Sequence, residues 1–144
     1  MNSASGTIEG AVHRLALRVY YEDTDAAGMV YYANYLKYAE RARTEMIRLL
    51  GVADGGRENG AAFAVRHCSI DYLRPARLDD EIDVYTRVVA LGGASAELEQ
   101  VVRRGGEDLV RLTVRLAFVT PEGKPSRLPG GFRTALARCL HSYT

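Results

Sequence analysis

Carboxylates are concentrated directly ahead of the longest amphipathic segment of the chain, where Glu22, Asp23 and Asp25 precede a helical pattern that begins near Asn34. A carboxylate can attack an electrophilic carbon or take a proton from water. The N–H groups left free at a helix start can bind negative charge, including charge that develops on a carbonyl oxygen. Taken singly, each aspartate is also typical of a residue that caps a turn or interacts with the helix dipole.

The helix that would position these groups follows from the spacing of apolar residues. Steps of three and four predict one amphipathic helix from Asn34 to Leu50, with charged side chains on its opposite face. Asn34 is expected to act as the N-cap, and Gly51 to take the left-handed conformation that ends a helix. The expected apolar face consists of Tyr35, Tyr38, Ala39, Ala42, Met46, Leu49 and Leu50.

Period-two alternation predicts strands on both sides of this helix. A first strand from Arg14 to Tyr21 leads into the acidic segment, and Gly92-Gly93 and Gly105-Gly106 favour antiparallel hairpins later in the chain. A short second helical pattern runs from Phe132 to Leu140. One helix across an antiparallel sheet of about five strands is an α+β fold. The later strands are expected at Phe63 to Tyr72, Glu81 to Leu91, Ala94 to Arg104 and Leu109 to Thr120.

Length and composition narrow the class of protein. A chain of 144 residues fits one domain, which we place at residues 13–144 behind a loose segment at residues 1–12. The formal net charge of +1 gives no overall attraction to nucleic acid or to a membrane. No run reaches the ~18 apolar residues of a membrane span. Cys68 and Cys139 lack metal-type spacing and the first residues are polar, so we predict a reduced, cytoplasmic protein.

The acidic segment also resembles part of a calcium loop, with Asp23, Asp25 and Gly28 at its first, third and sixth positions. Ala27 and Asn34 then stand where oxygen ligands are required, Asn34 at the position of the bidentate glutamate. The three histidines have no metal-type spacing, and no Gly-x-Ser-x-Gly elbow is present. We therefore predict no metal and no cofactor.

The complete pattern resembles the hot-dog-fold acyl-CoA thioesterases of the 4-hydroxybenzoyl-CoA thioesterase type, above all their Tol-Pal-associated branch. The resemblance extends from about Arg18 to at least Asp80. Its motifs are Tyr21-Glu22-Asp23-Thr24-Asp25, Gly28, Val30-Tyr31-Tyr32, Tyr35-Leu36, Glu40-Arg41-Ala42-Arg43-Thr44-Glu45, Asp71-Tyr72 and Pro75-Ala76-Arg77-Leu78-Asp79-Asp80.

The resemblance implies a role for each residue of the predicted site. Asp25 corresponds to the catalytic carboxylate, and the backbone N–H of Tyr32 corresponds to the donor that polarises the thioester carbonyl. Gly28 either lets the backbone approach the thioester and take a positive φ or serves a tight turn. Tyr31 belongs to a group of tyrosines that could line an acyl pocket. Coenzyme A carries phosphates, for which Arg103 and Arg104 are the candidate partners.

The resemblance implies hydrolysis of an acyl-CoA, or of an acyl carrier protein thioester, to a carboxylic acid and a free thiol. It also implies a hot-dog domain whose site forms between protomers of a homodimer or homotetramer. Two alternatives are a non-catalytic acyl-binding or scaffold protein and a hot-dog acyl-CoA hydratase. A hydratase would more naturally pair a histidine with an acid in the motif, whereas the nearest histidine to Asp25 in sequence is His13.

Overall fold

The structure, a computed structural model, describes residues 3–51 and 60–140 and contains two helices and six strands within them. Short 3-10 turns occur at Ser3–Ser5 and Tyr21–Asp23. The elements in chain order are β1 (Thr7–Glu9), β2 (Val12–Arg18), α1 (Asn34–Leu49), β3 (Ala62–Tyr72), β4 (Glu81–Leu91), β5 (Ser95–Arg104), β6 (Glu107–Val119) and α2 (Gly130–Ala137). None of the helices in these ranges combines the length and apolarity that a bilayer span requires.

All six strands form one antiparallel sheet in the order β1-β2-β4-β5-β6-β3. The hairpins predicted at the two Gly-Gly pairs are confirmed, because β4 pairs with β5 and β5 pairs with β6. Strand β1 lies within the segment that we expected to be loose, and it raises the strand number from about five to six. The edges of the sheet are therefore β1 and β3.

The first predicted strand ends earlier than its alternation indicates. Val19 still bonds across the sheet, with its N–H to the Asp80 carbonyl and its carbonyl to the Asp79 N–H. The chain then turns, because the Tyr20 and Tyr21 carbonyls accept the N–H groups of Asp23 and Thr24. Tyr21 thus belongs to a turn, and its ring is 82% exposed.

Helix α1 packs with its predicted apolar face on the sheet. Tyr35, Tyr38, Ala39, Ala42 and Met46 are buried, and Gly51 follows with φ +77°, the left-handed conformation expected at a helix end. The facing side chains of β6 are buried at Val110, Leu112, Val114, Leu116 and Phe118. Each large apolar side chain buried in this way contributes about 1.5–3 kcal/mol. This layer fixes where the helix begins, and the candidate site lies at that end.

A polar cluster crosses this apolar layer at the middle of α1. Gln100 of β5 is fully buried and donates to the Ala39 carbonyl (3.0 Å) and to Thr86 Oγ1 (2.9 Å). Its Oε1 accepts from Arg43 Nη1 at 3.0 Å, and burial lowers the pKa of Arg43. Because buried polar groups need such partners, the cluster holds α1 at one position along the sheet.

His13 is fully buried between the N-terminal turn and α1. Its Nε2 lies 2.8 Å from the Ser5 carbonyl, and Ser5 Oγ donates to Glu45 Oε1 of α1 at 2.9 Å. The buried Nδ1 has no hydrogen-bond partner in the described part of the chain. Burial lowers the pKa of His13, against the smaller opposing effects of the Ser5 bond and the Glu45 charge.

We expect His13 to make the protein less stable in mild acid. The unfolded chain takes up a proton near pH 6.5 and the folded chain only at lower pH, so the free energy of unfolding falls as pH drops below about 6.5. Each pH unit between the two pKa values costs about 1.4 kcal/mol. Urea unfolding from pH 5 to 8 should show this slope, and His13→Gln should flatten it. The exposed His67 supplies the control His67→Gln, and an unchanged slope in His13→Gln would disprove the assignment.

Candidate active site

Helix α1 begins differently from the predicted N-cap arrangement. Ala33 occupies the N-cap position, with no side-chain capping bond, so the prediction that Asn34 caps the helix is wrong. The Asn34 amide instead donates from Nδ2 to the Asp23 carbonyl at 2.8 Å. The backbone N–H of Asn34 donates to the Tyr31 carbonyl, also at 2.8 Å. Asn34 therefore ties the acidic segment to the helix start.

Residues 23–31 fold back on themselves as a tight hairpin, which we call the acidic hairpin. An isolated antiparallel bridge joins Thr24 to Val30, and the Asp25 N–H donates to the Met29 carbonyl at 2.8 Å. At the tip, the Gly28 N–H donates to the Asp25 carbonyl at 3.0 Å, and Gly28 has φ +79°. A Cβ at Gly28 would meet nothing within 4 Å, so conformation rather than crowding within this chain requires glycine there.

The carboxyl group of Asp25 is held in a fixed orientation and is exposed at the surface of the chain. Its Oδ1 accepts from the N–H groups of Ala27 (2.9 Å) and Met29 (3.2 Å). Its Oδ2 has no hydrogen-bond partner among residues 3–51 and 60–140. One oxygen is thus used for positioning, and the other is available to an incoming atom or to water.

Asp23, in contrast, serves the structure of the hairpin. Its Oδ2 accepts from the Tyr20 N–H at 2.9 Å, which completes a capping box around the 3-10 turn. Its carbonyl accepts from Tyr31 N (2.9 Å) and from the Asn34 side chain. The hydrogen bonds of Asp23 and Asp25 therefore differ, although residue type and spacing gave both the same range of roles and only the family resemblance singled out Asp25.

The peptide group between Tyr31 and Tyr32 lies at the start of α1. Its carbonyl accepts the Asn34 N–H, which fixes the plane of the peptide, and its N–H belongs to Tyr32. Within the described ranges, the Tyr32 N–H donates to no acceptor. A free, oriented N–H at a helix start can bind a carbonyl oxygen and stabilise the negative charge that grows on it.

The acidic hairpin rests on the connection between β3 and β4, residues 74–80, which we call the platform. Val30 N donates to the Ala76 carbonyl (2.9 Å), Leu78 N donates to the Gly28 carbonyl (3.0 Å), and Met29 bridges to Arg77. The fully buried Ala76 also donates its N–H to the Tyr35 hydroxyl of α1 at 2.9 Å. The platform, which lies far later in the sequence, thereby joins the acidic hairpin and α1 beneath the candidate site.

Tyrosine rings run from the exposed hairpin into the core. Neighbouring ring centroids lie 4.8 Å apart for Tyr31–Tyr32, 6.2 Å for Tyr32–Tyr72, 5.8 Å for Tyr72–Tyr35 and 6.0 Å for Tyr35–Tyr38. Tyr72 also donates its hydroxyl to the Tyr32 carbonyl at 3.2 Å. Tyr31 and Tyr32 are 47% and 61% exposed, so in the single chain they leave an apolar surface beside Asp25.

The two inner tyrosines of this series have perturbed ionisation. Burial raises the pKa of Tyr35, partly offset by the Ala76 N–H that its oxygen accepts. Burial and then the nearby Asp23 carboxyl group raise the pKa of Tyr38. The negative charge of Asp23 acts on the nearby Tyr38 hydroxyl. In the described part of the chain, however, this hydroxyl has no partner at hydrogen-bond geometry. Both side chains therefore stay neutral at physiological pH and act as packing and hydrogen-bonding groups.

Arg103 and Arg104, expected together at the coenzyme A phosphates, point to different surroundings. Arg103 pairs with Asp108 at 2.6 Å and lies over the Tyr85 ring, 4.9 Å from its centroid. It lines a cavity of about 630 Å³ whose walls also include Arg14, Arg87 and Arg111. Arg104 instead contacts the platform.

Asp25, Gly28, Tyr31 and Tyr32 thus lie at one end of α1. Of the two arginines, only Arg104 contacts the platform beneath them.

Within the described residues, no three His, Cys, Asp or Glu side chains are grouped so that they could hold a metal ion. In the acidic hairpin, Asp23 and Asp25 turn oxygens toward different backbone N–H groups. The chemistry that the site supports with its own groups is attack by a carboxylate, or by water that it activates, on a carbonyl carbon whose oxygen is bound at a helix start.

Comparison with known proteins identifies the family. Residues 27–111 match the thioesterase superfamily. The acyl-CoA thioesterase YbgC of Haemophilus influenzae is 45% identical over 105 residues, which cover 72% of this chain and 77% of the relative. A crystal structure of a probable thioesterase from Bartonella henselae is 39% identical, with a TM-score of 0.78 over 82% of this chain and 99% of that chain. A thioesterase from Thermus thermophilus, solved with coenzyme A and Zn, is 33% identical, with a TM-score of 0.76 over 92% of this chain and 96% of that chain.

One long helix on an antiparallel sheet, with an acidic hairpin at the helix start, is a hot-dog fold of the thioesterase type. The chain belongs to the thioesterase superfamily. The predicted α+β hot-dog class and the predicted resemblance to the acyl-CoA thioesterases are both confirmed.

Proposed function

We propose that this protein hydrolyses acyl-CoA thioesters with Asp25 as the attacking or activating carboxylate and the Tyr32 N–H as the donor to the carbonyl oxygen. The observation that carries the proposal is the state of these two groups. Asp25 has one oxygen fixed and the other open, and the Tyr32 N–H is free at the helix start. A donor of this kind is worth about 2.7–4 kcal/mol in the transition state.

Membership of the family and 45% identity to an acyl-CoA thioesterase support the activity itself. The reaction releases a carboxylic acid and free coenzyme A. Gly28 keeps the hairpin tip without a side chain on its open side, which leaves room for the thioester beside Asp25. Tyr31 and Tyr32 present ring surface to the acyl group next to the same carboxylate.

Two routes are consistent with this arrangement. Asp25 can attack the acyl carbon and expel the coenzyme A thiolate, which takes up a proton, and water then opens the resulting mixed anhydride. Alternatively, Asp25 can take a proton from water as that water attacks the thioester. The first route uses Asp25 as a nucleophile and the second uses it as a general base.

A single turnover in ¹⁸O-labelled water separates these routes. We expect label in the Asp25 carboxyl group, detected by mass spectrometry of the peptide that contains it, when water opens an anhydride at the aspartyl carbonyl. Label recovered in the released acid alone fits either direct attack by water or opening of the anhydride at the acyl carbonyl. Only the anhydride route acylates Asp25, so the mass of the Asp25 peptide from a rapidly quenched turnover decides between them. Protein incubated in labelled water without substrate is the control for exchange.

We also propose that the protein works as a homodimer or homotetramer in the cytoplasm. Strand β3 is an eleven-residue edge of the sheet, with Val65 53% exposed and Tyr72 46% exposed close to the candidate site. A long edge with exposed apolar side chains favours pairing with another chain. Light scattering coupled to size-exclusion chromatography gives the assembly state, and a monomer that is fully active would contradict this proposal.

The acyl group, and the choice between coenzyme A and acyl carrier protein, are best tested by thiol release across a panel. The panel should contain short, long and aromatic acyl-CoAs and an acyl carrier protein thioester. Turnover of one class identifies the substrate. Binding without turnover of any member would support the non-catalytic acyl-binding or scaffold alternative, including a role beside the Tol-Pal machinery.

A further inference from the structure

Two side chains of the β5–β6 hairpin, Arg104 and Glu107, contact the platform, and Glu107 Oε2 pairs with Arg74 Nη1 at 3.3 Å. Arg104, at the end of β5, donates from Nη1 to Asp80 Oδ2 (2.7 Å) and to the Pro75 carbonyl (3.2 Å). Its Nη2 donates to Glu107 Oε1 at 2.7 Å. The planar guanidinium therefore spans both ends of the platform and connects it to the β5–β6 turn.

The platform also carries its own internal bonds at the residue that Arg104 contacts. Asp80 Oδ2 accepts from the Arg77 N–H at 2.8 Å, and the Asp80 N–H donates to the Arg77 carbonyl at 3.0 Å. Arg77 and its two neighbours, Ala76 and Leu78, are the residues that bond to the acidic hairpin. A continuous path of hydrogen bonds thus runs from Arg104 through Asp80 to the backbone around Gly28 and Met29.

We propose that Arg104 is a positioning residue for the hydrolytic reaction, which acts by holding the platform, and through it the acidic hairpin, in the geometry that presents Asp25. This inference rests on the proposed function. A displacement of about 1 Å at a reacting group can cost 10²-fold in rate. Met29, whose N–H fixes Asp25 Oδ1, is itself bridged to Arg77 of the platform.

The competing role for Arg104 is direct binding of a coenzyme A phosphate. Its contacts argue against that role, because two carboxylates and a carbonyl already use donors from both terminal nitrogens. A phosphate would have to displace partners at 2.7 Å from a guanidinium whose charge two carboxylates already balance. Arg104 also has a side chain only 33% exposed, as expected of a group enclosed by its partners.

Three variants and two substrates test the proposal. The substrates are an acyl-CoA that the wild type hydrolyses and the acyl-pantetheine of the same acid, which lacks the nucleotide and its phosphates. For Arg104→Gln we expect kcat to fall by about 10- to 100-fold on both substrates, with little change in KM. Arg104→Lys keeps the charge but cannot span Pro75 and Asp80 together. We therefore expect its kcat to be reduced about as much as that of Arg104→Gln. Arg115→Gln is the matched control on the same hairpin, because within the described residues Arg115 pairs only with Glu97 across the two strands, and it should retain wild-type kinetics.

Loss confined to the acyl-CoA, appearing in KM and restored by Arg104→Lys, would overturn the proposal and identify a phosphate ligand. Full activity of folded Arg104→Gln would overturn it as well. Circular dichroism at the assay temperature shows that each variant is folded. Asp80→Asn supplies a second test of the same contact. Because Arg104 and Asp80 act through one hydrogen bond, the double variant Arg104→Gln/Asp80→Asn should lose little more kcat than either single variant. Failure of the proposed function would appear separately, as retained activity in Asp25→Asn.

Discussion

Replacement of Asp25 by Asn is expected to lower acyl-CoA turnover by about three to four orders of magnitude while the protein remains folded. The asparagine retains Oδ1, which can still accept the Ala27 and Met29 N–H groups that fix the side chain. It lacks the negative oxygen that, in the proposed mechanism, attacks the thioester or takes the proton from water. Thiol release under saturating acyl-CoA measures the loss, and circular dichroism checks the fold.

Asp23→Asn is the matched control for this experiment. The carboxyl group of Asp23 accepts from the Tyr20 N–H and shapes the 3-10 turn before the hairpin. Because an asparagine oxygen can still accept this N–H, we expect Asp23→Asn to change the melting temperature little and to retain far more activity than Asp25→Asn. Near-normal hydrolysis by Asp25→Asn would remove Asp25 from the mechanism.

The second large effect is expected from the loss of the Tyr32 N–H. Replacement of tyrosine by its α-hydroxy acid at position 32 exchanges this N–H for an ester oxygen and keeps the side chain. We expect kcat to fall by about 10²- to 10³-fold, the cost of one donor to a carbonyl oxygen that becomes negative in the transition state. The N–H makes no bond within the described residues, so we expect any loss of stability to come only from weaker acceptance of the Asn34 N–H by the new ester carbonyl of Tyr31.

Two further variants at this position separate the backbone from the ring. Tyr32→Phe keeps the N–H and should hydrolyse acyl-CoA at close to the wild-type rate. Tyr32→Pro removes the same N–H by a different route and should reproduce the loss seen with the α-hydroxy acid. Full activity of the α-hydroxy acid protein would show that the carbonyl oxygen is bound elsewhere.

Local patterns were sufficient to predict helix α1 and the two central hairpins. The steps of three and four along α1 match its buried side chains, since burial on one face imposes that period. Alternation along β4 and β6 likewise reflects one face of each strand packed into the core that they share with α1. Strand β1 was missed because three residues are too few to show alternation.

The errors arise where a distant group competes with a local preference. Asn34 is a good N-cap by type, but the Asp23 carbonyl, brought beside it by the 3-10 turn, takes its side chain. The first strand was extended to Tyr21 because Val19 and Tyr21 continue the alternation, whereas the pairing stops at the platform. The platform and its Arg104 contacts join residues far apart in sequence, which no local pattern reveals.

In the predicted site, too, local motifs predict where residues lie, whereas distant contacts decide how their side chains are used. The sequence motifs placed Asp25, Gly28, Tyr31 and Tyr32 in one loop ahead of α1, and the structure has them at one end of that helix. The separate roles of Asp23 and Asp25 depend on which N–H groups each oxygen faces, and spacing along the chain does not determine that. The different directions of Arg103 and Arg104 depend on the partners supplied by neighbouring strands and loops.

The contact between the platform and the acidic hairpin determines when the hairpin can be completed during synthesis. A nascent chain that has emerged only as far as α1 already contains Asp25 and the helix, yet the hairpin has nothing beneath it until residues 74–80 arrive. Arg104 follows later still. Asp25 therefore gains the hydrogen-bonded support of its hairpin only after the platform has been synthesised.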